Sequence, residues 1–128
     1  MMTICRALEK HADDILKILQ PHIESGIILP RDKKDILKAI HTFFVAETDG
    51  TTTGCLSVKD YGNGLLEIRS FAVDGKYLNL GIGTALLKYV VNHISESKSG
   101  KRIFALTLRP RVFQNAGFKI TEIGRAHV

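Results

Sequence analysis

One stretch constrains this chain more than any other: Val73-Asp74-Gly75-Lys76-Tyr77-Leu78-Asn79-Leu80-Gly81-Ile82-Gly83-Thr84-Ala85. It reads as the end of a strand, a turn with glycines at alternate positions, and the start of an amphipathic helix. In that helix Leu86, Leu87, Val90, Val91 and Ile94 repeat on one apolar stripe. Such a junction suits a phosphate. The first turn of a helix leaves backbone N–H groups unpaired at the positive end of its dipole. Gly81 and Gly83 remove the side chains that would hold an anion away from them. The competing reading is that the two glycines only let the helix pack closely on a strand. The stretch is not a P-loop, because no Lys-Ser/Thr pair follows the glycines, and it is not GxGxxG, because Leu86 stands at the third glycine's place.

The elements around it are short and alternate in type. Thr3 to Ala7 reads as a first strand, and His11 to Ile23 as a helix with Ile15, Leu16, Ile18, Leu19 and Ile23 on one face. Pro21 is expected to end or kink that helix near Gln20. Asp32 can cap a second helix, with Asp35 in its first turn and Ile36, Leu37 and Ile40 on its buried side. Phe43 to Glu47, Thr51 to Asp60 and Leu65 to Val73 form an antiparallel meander, with turns at Asp49-Gly50 and at Tyr61 to Gly64. After the long helix come a strand from Arg102 to Leu108, a short helix from Arg111 to Ala116 and a last strand from Phe118 to Ile123. Residues 1–123 are expected to form a single domain, and Gly124 to Val128 a frayed tail or an expression scar.

Length and composition narrow the classes of function. A chain of 128 residues fits one core rather than two. No apolar run approaches the roughly 18 residues of a membrane span, and the first residues lack a secretory pattern, so the expected compartment is the cytoplasm. Lys and Arg total 18 against 13 Asp and Glu, a formal charge of +5, which favours an anionic partner. The basic residues are scattered, without a recognition-helix pattern or a series of stacking aromatics, so nucleic acid is the weakest candidate. Cys5 and Cys55 form no CxxC, and the five histidines show no ligand spacing, so no metal site is expected.

The order of elements, together with two local sequences, resembles the GNAT acetyltransferase superfamily. "LEIRSFAVDGKYLNLGIGTALLKYV" is similar to that family's acetyl-CoA-binding segment, and "FQNAGF" (Phe113 to Phe118) to its closing motif. "FALTLRPRVFQNAGF", "ILPRDKKDI" and "GCLSV" resemble one branch in particular, the acetyltransferase domain of N-acetylglutamate synthases. There are two departures. Leu78 stands where the family usually has Arg or Gln. Phe113 stands where many members place the Tyr that protonates the departing CoA thiolate, which leaves Tyr77, Ser70 or a water for that role.

The resemblance implies an α+β (α/β) fold with a mixed, mostly antiparallel sheet of about six strands and about four helices. It implies an N-acetyltransferase that passes an acetyl group from acetyl-CoA to the amine of a small substrate, possibly an amino acid such as glutamate, by direct attack on the thioester. Glu67 is then the general base and the Val73 N–H the oxyanion donor. The backbone of Phe71, Ala72 and Val73 meets the pantetheine arm, and the N–H groups of Leu78, Asn79, Leu80, Gly81, Ile82, Gly83 and Thr84 meet the pyrophosphate. Arg31 and Arg109 are the candidates to hold a substrate carboxylate, because arginine's planar fork matches a carboxylate bidentately. Each has a plain alternative: Glu67 as a solvated partner of Arg69, the arginines as surface residues. A catalytically silent acyl-CoA-binding module is the alternative function, and an exposed edge at the last strand could pair two copies into a homodimer.

Overall fold

In a computed structural model the chain is described over residues 1–97, 102–107, 109–122 and 125–127. Seven strands among these residues form one sheet in the order β1-β2-β3-β4-β5-β7-β6. They are β1 (Met2–Arg6), β2 (Phe43–Thr48), β3 (Thr51–Asp60), β4 (Leu65–Val73), β5 (Arg102–Leu106), β6 (Lys119–Glu122) and β7 (Arg125–His127). All neighbours are antiparallel except β4 and β5. That one parallel pair needs a crossover, and the long helix supplies it.

The helices are α1 (Ala12–Glu24), α2 (Lys33–Lys38), α3 (Ile82–Ser97) and α4 (Pro110–Asn115). They cover both faces of the sheet, which is why the central strands are apolar on both sides. In β2, Phe43 and Val45 join Ile15, Leu19 and Ile36 of α1 and α2 in one cluster, while Phe44 joins Leu86, Leu87 and Val90 of α3 in the other. That division follows directly from the two-residue period of a strand. The turn between β2 and β3 has Asp49 at φ 50° and Gly50 at φ 83°, the left-handed pair that matches a hairpin's twist.

The sequence reading needs three corrections. α1 does not stop before Pro21 but runs through it to Glu24. Proline forfeits one hydrogen bond in the last turns, and the buried Ala12, Ile15, Ile18 and Leu19 hold the helix to the sheet regardless. The sheet has seven strands rather than about six. The additional one is β7, in the segment expected to be a frayed tail: it enters the sheet between β5 and β6. A segment of three residues has no readable period, so only its pairing reveals it.

Candidate functional site

The site is made by a fault in β4. Cys55 of β3 pairs with Ala72, and Ser57 pairs with Arg69, so Leu56 alone faces both Ser70 and Phe71. This is a β-bulge, and Ser70 carries its strain at φ 50°. The parallel ladder with β5 runs from Leu65 to Ile68 and goes no further. From Arg69 to Val73 the edge of β4 that should meet β5 is turned instead to a cleft of about 800 Å³. The Asp74 N–H donates back to the Thr53 carbonyl of β3. Successive N–H groups of a strand alternate in direction, so the Val73 N–H is directed to the cleft side.

The glycine turn closes one end of this cleft. The helical ladder of α3 opens with the Ala85 N–H donating to the Gly81 carbonyl, so the N–H groups of Ile82, Gly83 and Thr84 precede it. The two glycines serve different needs. Gly81 has φ 80° and open space where a Cβ would stand. Gly83 is tight: a Cβ there would lie 3.1 Å from the Phe71 ring and 3.6 Å from a Val73 methyl. Close packing of helix on strand is therefore the reason for Gly83, and backbone conformation the reason for Gly81.

Phe71, Ala72, Val73, Leu78, Asn79, Gly81, Ile82, Gly83 and Thr84 all line the cleft, and so do Glu67, Arg31 and Arg109. Leu80 does not; it is largely exposed beyond the turn. Phe113 sits in the wall as a fully packed ring, edge-on to both Phe71 and Phe118. Tyr77 and Ser70 both reach the lining, and the buried Ser70 hydroxyl has no hydrogen-bond partner among the described residues.

Among the described residues Glu67 is the one acid in the lining, against the guanidiniums of Arg31, Arg69, Arg109 and Arg111. It is 8% exposed and accepts a hydrogen bond from the Tyr61 hydroxyl at 2.6 Å, with the Arg69 Nε at 3.8 Å. Burial, and then the positive charge of Arg69, lower Arg31 from its ordinary value. Burial, and then Arg109, likewise hold His22 of α1 below the usual imidazole range. Like charges are thus brought together around one end of the cleft, an arrangement an anion relieves. Arg31 is set there by the residue after it. Asp32 accepts from the Asp35 N–H at 2.9 Å and donates its own N–H to the Asp35 carboxylate at 3.0 Å, a reciprocal cap that fixes where α2 begins.

Sequence reasoning did not single out Tyr61, Arg69 or Arg111 as members of the site. Arg69 carried a signal, since it shares a strand face with Glu67 two residues before it. Tyr61 carried none beyond its place in a turn.

A model of the acetyltransferase (GNAT) family matches residues 8–118. An uncharacterized N-acetyltransferase of Chlorobaculum tepidum is 35% identical over 87% of this chain and 71% of its own length. An amino-acid acetyltransferase of Photorhabdus laumondii is 28% identical over 85% of this chain, which spans only 25% of that protein. The N-acetylglutamate synthase of Neisseria gonorrhoeae, solved with coenzyme A and N-acetyl-glutamate, superposes with a TM-score of 0.84 at 27% identity, over 95% of this chain and 29% of that one.

Proposed function

We propose that this chain, which belongs to the acetyltransferase (GNAT) family and is an N-acetyltransferase that uses acetyl-CoA, takes as its acceptor the amine of a small acid, with an amino acid such as glutamate the leading candidate. The observation that carries this reading is the charge of the cleft: among the described residues, four arginines and a single carboxylate line it. A substrate with a carboxylate of its own satisfies those guanidiniums, and Glu67 in the same cleft takes the proton. The relatives named as amino-acid acetyltransferases and the gonococcal synthase with its bound N-acetyl-glutamate support the same class.

In this scheme the free edge of β4 receives the amides of the pantetheine arm as an added strand would. The open turn at Leu78 to Thr84 and the leading N–H groups of α3 receive the pyrophosphate. Leu80, exposed outside the cleft, contributes at most its backbone. Glu67 accepts a proton from the acceptor ammonium, directly or through a water. The neutral nitrogen attacks the thioester carbonyl, an N–C bond forms, and the Val73 N–H holds the developing oxyanion. The C–S bond then breaks, and the thiolate leaves with its electron pair and is protonated. Phe113 has no proton to give, so that proton comes from Tyr77, Ser70 or water. Arg31 and Arg109 hold the acceptor's carboxylate.

Calorimetric titration is the first test. Micromolar binding of acetyl-CoA and CoA, with ATP much weaker, is the expected result, and no binding of either CoA form overturns the cofactor placement. Turnover is then followed by thiol release across an amine panel beginning with glutamate. Arg31→Ala and Arg109→Ala are expected to raise KM for the amine about tenfold or more, from the worth of a hydrogen bond to a charged group, with acetyl-CoA affinity retained. Wild-type KM in both variants ends the carboxylate assignment.

A further inference from the structure

The Glu67 carboxylate is held by a residue that lies outside the cleft. Tyr61 sits in the turn between β3 and β4, half exposed, and its hydroxyl donates to Glu67 Oε1 at 2.6 Å. The ring itself is fixed from two sides. It stacks on Phe104 of β5, with centroids 6.2 Å apart and planes at 28°, and the Lys59 Nζ lies 5.1 Å over it. Phe104 and Lys59 are the register partners of Glu67 on the two neighbouring strands. Two residues that fix the Tyr61 ring therefore stand level with the carboxylate across the sheet, and Tyr61 reaches it from the turn. Arg69 approaches the same oxygen, Oε1. Both contacts fall on Oε1.

We propose that Tyr61 is a positioning residue for acetyl transfer: its hydroxyl, anchored between Phe104 and Lys59, holds the Glu67 carboxylate in one orientation and aims it at the acceptor amine. This rests on the reading of Glu67 as the general base. A hydrogen bond donated to a carboxylate stabilises its charged form. The bond to Glu67, then burial and the carboxylate's charge, push Tyr61 above its ordinary value, so the phenol stays a donor throughout the neutral range. The charged groups beside Glu67 are Arg69 on its own strand and Lys59, its register partner on β3. Among the described residues, Tyr61 is the one that touches the carboxylate at hydrogen-bond distance.

The test is a double-mutant cycle on Tyr61→Phe and Glu67→Gln, read as kcat against KM for each substrate. Tyr61→Phe keeps the ring and its stacking and removes only the donor. It is expected to lower kcat about tenfold, the scale of a hydrogen bond to a charged group, with KM for the amine and acetyl-CoA affinity unchanged. In the Glu67→Gln background the same substitution is expected to change kcat little, since there is no carboxylate left to hold. An equal loss in both backgrounds, or an effect on KM with kcat unchanged, overturns the role of Tyr61 while leaving Glu67 as base. Full activity in Glu67→Gln alone overturns the base reading itself, and the two failures are thus distinct.

Discussion

The two halves of β4 are one strand with two fates. Leu65 to Ile68 is paired on both edges, with β3 on one side and β5 on the other. Arg69 to Val73 keeps β3 and loses β5, and its second edge belongs to the cleft. The bulge at Ser70 and Phe71 is the cause. In an unbroken strand residues 68 and 72 would share a face. Here Ile68 packs with α3 and Ala72 with α1 and α2. One inserted residue re-aims the strand, separates it from its parallel neighbour and turns a structural edge into a binding edge. Glu67 lies in the paired half, so the proposed base is held by full ladder geometry while the proposed oxyanion donor, Val73, lies in the released half.

If that division is real, substitutions in the two halves fail differently. The largest effect is expected from Glu67→Gln, which should lower kcat by about a hundredfold or more with little change in KM for acetyl-CoA; steady-state kinetics at saturating amine decides it, and equal kcat in the two proteins removes Glu67 from the chemistry. Leu66→Ala, one residue away on the opposite face, should act on stability instead. Leu66 is buried in the α3 cluster, and the loss should be about 2–5 kcal/mol in urea unfolding with the coenzyme affinity of the folded fraction retained. A large change in that affinity would show that the paired half is not merely scaffold. The smallest effect is asked of the turn that the released half feeds. Gly81→Val should weaken acetyl-CoA binding about tenfold, because a branched side chain strains a backbone at φ 80°. Gly50→Val meets the same strain at φ 83° in a hairpin remote from the cleft, and should leave acetyl-CoA affinity alone. Matching losses in the two variants would assign the Gly81 effect to stability and not to the site.

Legibility followed sequence distance. The meander, the capped start of α2 and the stripe of α3 were readable because each is set by residues within one or two turns of each other. The cleft's cofactor wall was readable because it is nearly continuous in sequence, from Phe71 to Thr84, and the structure adds only that Leu80 points away from it. Tyr61 was not readable. Its contact with Glu67 depends on the register of the β3–β4 hairpin and on the reach of a side chain across it. Pro21 misled because local propensity was weighed without the buried face that outweighs it.

The amino-acid sequence alone determined the order of the elements before β7 and the glycine turn, because periodicity and backbone preference are local properties. Tertiary structure decided the bulge in β4, the meeting of four arginines and one carboxylate in the lining of one cleft, the insertion of β7 between β5 and β6, and the bond from Tyr61 to Glu67. Each of these depends on pairing register or on segments far apart in the chain, and register is fixed only when the whole sheet and its two helical layers pack at once.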